Sequence, residues 1–153
     1  MGGVAMSTAA HPAHHPVQLV VSRGLHGAVA GIGGGIAFGV VMAMAGMLPM
    51  VAMLVGSDSD GVGVVVHLAI SAVLGAGLGL VAPFTRFLPL LGAGAVWGVI
   101  WWVLGGLLLM PAGLGMPVFQ MGQTALTSLV GHLLYGIVAA AVLYGLRRRA
   151  GHL

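Results

Sequence analysis

The chain has 153 residues, 59% of them hydrophobic and only 5% charged, with a mean hydropathy of +1.14. Five arginines and two aspartates cannot make the charged shell of a soluble domain this size, which leaves an integral membrane protein. The absence of cysteine excludes disulfides, thiolate metal sites and cysteine nucleophiles, and the net charge of +3 forms no broad basic patch for nucleic acid.

Residues 1–23 read as a flexible cytoplasmic tail. His11, Pro12, His14, His15 and Pro16 interrupt a helix, and no positive segment precedes an apolar core as in a cleavable signal. The tail histidines are able to hold a divalent ion, although a short His/Pro segment is adequately served by water. Residues 24–147 form the membrane domain and residues 148–153 a basic cytoplasmic tail. About 20 apolar residues cross the hydrocarbon core. Four stretches meet that standard: about 26–48, 62–82, 87–110 and 123–146. Pro49 and the run from Gly56 to Gly61 close the first, Pro83 and Pro89 flank the second turn, and Pro111 and Pro117 bound the third. All arginines fall in the flanks or the second loop, whereas Asp58 and Asp60 fall in the first, so the positive-inside rule puts both termini in the cytoplasm. The expected fold is all-α, a four-transmembrane-helix bundle.

The second half echoes the first. His67-Leu68 matches His132-Leu133, and Val73, Ala76 and Leu78 match Val138, Ala141 and Leu143. Two parallel helical-hairpin repeats, related by an axis along the membrane normal, would set both histidines at one depth. At about 1.5 Å per residue both lie ~23 Å from the arginine-flanked boundary. His67, Ser71, Gly75 and Gly79 share one helix face, as do His132, Gly136, Ala140 and Tyr144. Ionisable groups at membrane depth turn inward, so His67 and His132 are expected to share an interior polar site with Ser71 and Tyr135 as partners.

Gly27, Gly31, Gly35 and Gly39 make a four-residue series on the first span, and Gly94 and Gly98 begin another on the third. With Gly75 and Gly79 these are helix-packing positions, because in lipid helices associate through small residues that let backbones approach. Trp97, Trp101 and Trp102 lie near mid-membrane, unlike an interfacial belt, and are expected to fill space beside glycines.

Two cofactors suit the histidines. A bis-histidine haem b needs two imidazoles on facing helices at one depth. Copper as Cu(I) would add soft thioethers, with His67, His132, Met47 and Met110 as the set, since the methionines concentrate at the aspartate-bearing ends of the spans. No other residue recognises either group, so the expectation is neither. Catalysis lacks an intramembrane acid, Gly-x-Ser-x-Gly or His-Glu-x-x-His, and Asp58-Ser59-Asp60-Gly61 lacks the remaining ligands of an EF-hand.

Ser128-Leu129-Val130-Gly131-His132-Leu133-Leu134-Tyr135-Gly136, with Leu109-Met110-Pro111 and His67-Leu68 before it, resembles small four-helix bacterial inner-membrane proteins of unknown function. The resemblance covers about residues 24–147; the second helix departs from it with Ile70-Ser71 in place of Tyr-Gly. It implies the four-helix fold and the two histidine positions, and no reaction. The expected role is non-enzymatic, an accessory subunit or self-associating scaffold in the bilayer, as a homo-oligomer or within a larger complex. The alternative is a transporter or channel for a small molecule or ion that uses the histidine pair.

Overall fold

The computed structural model describes residues 16–151. His11, His14 and His15, and the metal or solvent role given to them, lie outside the described residues. The chain forms α1 (Pro16–Met44), α2 (Leu48–Ala52), α3 (Asp60–Val81), α4 (Phe87–Trp101), a π-helical segment (Trp102–Leu109), α5 (Met110–Gly113) and α6 (Gln123–Arg149). Four helices are long and apolar enough to cross a membrane: Val17–Met44, Asp60–Val81, Phe87–Gly113 and Gln123–Arg149. The protein is a multi-pass, all-α four-helix bundle.

α1 starts well before the expected 26, so the stretch after Pro16 is helical and not part of the tail. Proline suits a first turn, where its missing N–H has no intrahelical acceptor. Gly46, at φ 65°, stops α1. The Met47 N–H donates to Met42 O at 2.9 Å and the Gly46 N–H to Ala43 O at 3.3 Å, the paired bonds of a Schellman ending. The first loop is then largely helical, with α2 lying along α3 and followed by a 3₁₀ turn (Met53–Val55). Asp60 opens α3, where its charge complements the helix dipole.

α1 packs most extensively against α3 and then α6, and α6 also packs on α4, so the helices run in the order α3, α1, α6, α4. Each contact is made through small residues. A Cβ on Gly31 would meet Ser71 O and, at 2.7 Å, Gly75 Cα; one on Gly27 would strike Gly75 O and Gly79 Cα. Gly35 lies against Ser71 and Gly39 against the His67 ring. In the other hairpin Gly94 abuts Gly136 O, and Gly98 abuts His132 O. Gly34, outside the four-residue series, brings α1 against Tyr135 O and Ala139 of α6. Outward-facing Val29, Val73, Val96 and Val130 are largely exposed, as lipid-facing side chains are.

This layout lacks the expected twofold relation. Symmetric hairpins would make the α3–α4 contact equivalent to α1–α6, yet α3 and α4 scarcely approach. They are bridged by Trp97, whose Nε1–H donates to Leu74 O at 3.1 Å and whose ring lies over Gly77. α1 carries glycine on two adjoining faces and accepts a neighbour on each, whereas α4 meets α3 through the bulky Trp97 ring. The π segment also has no counterpart in α1.

At the end of the bundle that bears the arginines, two of them reach the carbonyls at the end of α3. Arg147, 7% exposed, donates from Nη2 to Gly79 O at 2.8 Å and from Nη1 to Ala82 O at 3.1 Å and Phe84 O at 3.2 Å. Arg23 donates to Gly79 O (3.3 Å), Leu80 O (2.9 Å) and Ala82 O (3.4 Å). The carbonyls left free at the end of α3 are thus capped from α1 and α6. Arg147 is a capping residue of α3.

Candidate functional site

Because α3 and α4 stand apart, the aspartate-bearing half of the bundle is hollow. A cavity of ≈ 670 Å³ is lined by Phe38 and Met42 of α1, Met50 and Val51 of α2, His67, Ile70 and Leu74 of α3, and Trp101 of α4. Gly105, Gly106 and Leu107 of the π segment, and Thr124, Ala125, Ser128 and His132 of α6, also line it, with the Gln120 and Gln123 amides in the loop before α6 and at its start. Met47, Met110, Met116 and Met121 lie around it.

The π segment shapes one wall. The Met110 N–H bonds back to Gly105 O, five residues earlier, so the turn is wider than α-helical. Leu107 O accepts from the Phe119 N–H at 2.8 Å, which folds the loop after α5 back over this wall. π turns recur at binding sites because they displace the helix face locally. Gly105 and Gly106 leave the widened wall without side chains.

His67 is 8% exposed, and its Nε2 lies 2.9 Å from Gly35 O. A carbonyl only accepts, so Nε2 carries the proton and Nδ1 keeps its lone pair. His132 has the other tautomer: Nδ1 lies 2.8 Å from Ser128 O, one turn back on its own helix, with Ser128 Oγ at 3.3 Å, so the lone pair is on Nε2. Phe38 touches both imidazoles, edge-on to His67 at 5.2 Å between centroids and tilted to His132 at 4.8 Å. Gly131 makes room for its ring, since any Cβ there would overlap it.

The four residues of the expected polar site thus divide. His67 and His132 line the cavity. Tyr135 does not bond His132; its hydroxyl donates to Ser71 O at 2.8 Å and ties α6 to α3. Ser71 packs against Gly35 and is no partner of either imidazole. The histidines are satisfied by carbonyls, because a backbone oxygen exposed beside a glycine (Gly35) or one turn back (Ser128) is nearer than a side chain from another helix.

Haem b does not fit between the imidazoles, because the Phe38 ring contacts both and stands where the macrocycle would lie. Among the described residues no three His, Cys, Asp or Glu side chains converge, so the ligand sets of structural zinc and calcium are not assembled. The copper set is drawn to one place: His67, His132, Met47 and Met110 all line the cavity.

Several parts of the site had weak sequence signals. Gly105-Gly106 in mid-span hinted at a distorted turn. Phe38 was hidden among apolar neighbours. Trp102 donates to Ala125 O at 3.0 Å, whereas the buried Trp101 Nε1 has no acceptor. Comparison of the chain with family models, curated proteins and solved structures finds no match.

Proposed function

We propose that this chain is a non-enzymatic membrane protein that binds a small, predominantly apolar molecule in the cavity. The arginine-bearing end faces the cytoplasm and the cavity lies in the outer half of the bilayer. The observation that carries this is the ≈ 670 Å³ space itself, within the usual range of small-molecule sites and walled by thioethers and hydrocarbon with two imidazoles. The gap between α3 and α4 gives such a molecule a lateral route from lipid. The scaffold reading has less support, since the glycine faces that would join copies are occupied within the chain: Gly27, Gly31 and Gly35 by α3, Gly94 and Gly98 by α6.

The test is saturable binding of naphthalene to the purified chain, followed by Trp101 emission. Gly105→Leu fills the cavity without a backbone clash, because a Cβ there meets only the Trp101 ring, at 4.0 Å. Affinity should fall about tenfold in that variant; unaltered affinity refutes the site. A second reading, Cu(I) binding, is favoured by Met47, Met110, His67 and His132 all lining the same cavity. Competition with a colorimetric Cu(I) chelator decides it, and His132→Phe should abolish any retention.

A further inference from the structure

The arginine-bearing end poses a separate problem of charge. Arg23 and Arg147 donate to the same two carbonyls, Gly79 O and Ala82 O, so their guanidinium groups lie side by side although they come from different helices. Like charges so placed repel, and Arg147 is largely withdrawn from water. The carbonyl end of α3 supplies only about half a negative charge. The sequence has two acidic side chains, Asp58 and Asp60, and both lie at the opposite end of α3. Arg86, Arg148 and Arg149 add further positive charge at the same end and are exposed.

Capping alone does not use all the donors. The bonds of Arg23 run through Nε and Nη2, so its Nη1 edge bonds no carbonyl among the described residues, and Arg23 is the exposed member of the pair. Phe84 and Phe87, both exposed, flank the turn below α3 and offer apolar surface at the level of the guanidinium groups. A charged donor edge open to the outside, a second guanidinium behind it and apolar side chains alongside match an anion attached to an acyl chain.

We propose that Arg23 and Arg147 hold a phosphate group, that of an anionic phospholipid in the leaflet on the arginine-bearing side. The phosphodiester oxygens accept from Arg23 Nη1 and offset the field of both guanidinium groups, while the acyl chains lie along Phe84 and Phe87. The two arginines thereby join α1, α3 and α6 to one lipid.

Native mass spectrometry of the full chain in detergent tests this, with phosphatidylglycerol, phosphatidylcholine or inorganic phosphate added singly. Phosphatidylglycerol should be retained as a 1:1 adduct and raise the melting temperature; phosphatidylcholine and inorganic phosphate should do neither. Arg23→Gln keeps amide donors for the α3 carbonyls and should weaken retention about tenfold, whereas Arg148→Gln, which removes the same charge from an exposed neighbour, should leave it unaltered. Equal loss in both variants would show diffuse attraction and overturn the proposal. Stabilisation by inorganic phosphate matching that by the lipid would overturn the lipid assignment, and indifference of wild type to all three additions would overturn the site.

Discussion

Gly31→Ala is a stringent probe of how the bundle is held. The added methyl would enter the backbone of α3, against Ser71 O and with Gly75 Cα at 2.7 Å and Gly75 N at 3.0 Å. None of these atoms belongs to a flexible side chain, so the strain is relieved only by moving α1 away from α3. Overpacking of this kind costs about 1–3 kcal/mol, and separation also weakens the neighbouring contacts of Gly27 and Gly35 on the same face. Higher helix propensity returns up to ~1 kcal/mol. A net loss of about 1–2 kcal/mol is expected. Gly92→Ala is the matched control, since a Cβ there meets nothing within 4 Å, and it should be neutral or slightly stabilising. Val29→Leu, on a side chain 54% exposed to the lipid side, should also be neutral. Reversible denaturation of the three variants in mixed micelles, followed by circular dichroism, gives the differences. Equal stability of Gly31→Ala and Gly92→Ala would refute the glycine-mediated α1–α3 contact.

Tyr135→Phe removes the bond to Ser71 O between α6 and α3 and should cost about 1 kcal/mol, read by the same denaturation. Phe38→Ala should cost about 3 kcal/mol or more, because the ring fills the space between both imidazoles, and should enlarge the cavity enough to admit bulkier aromatic probes. For orientation, cysteine at position 58 should react with an impermeant outside reagent in intact cells and cysteine at position 86 should not; the reverse pattern would invert the topology.

The four spans are legible because bilayer thickness imposes a length and the prolines and glycines between runs impose limits. The glycine stripes are legible because a small residue every fourth position has few other uses in lipid. Other features had no such signature. Pro16 looks like a breaker, yet at a helix start it costs nothing. Arg147 reads as the last residue of the membrane domain, adjoining the basic tail, although it follows Gly136, Ala140 and Leu143 on the inward face of α6, and that register is what buries it. The π segment has no propensity code in a run of leucines and glycines, and the hairpin asymmetry depends on the bulk of Trp97 against Gly77, a contact between residues on different helices. His67 and His132 stand out in the sequence, but the carbonyl that sets the His67 tautomer and the ring between the two imidazoles belong to tertiary structure.

Side-chain ¹⁵N NMR of histidine-labelled protein, before and after addition of naphthalene, tests the cavity most directly. At neutral pH His67 should be the Nε2–H tautomer and His132 the Nδ1–H tautomer, as Gly35 O and Ser128 O require. Both bare nitrogens should shift together as the probe saturates, and neither should shift in Gly105→Leu. Identical tautomers, or imidazoles indifferent to the bound probe, would contradict a shared ligand cavity between α3 and α6.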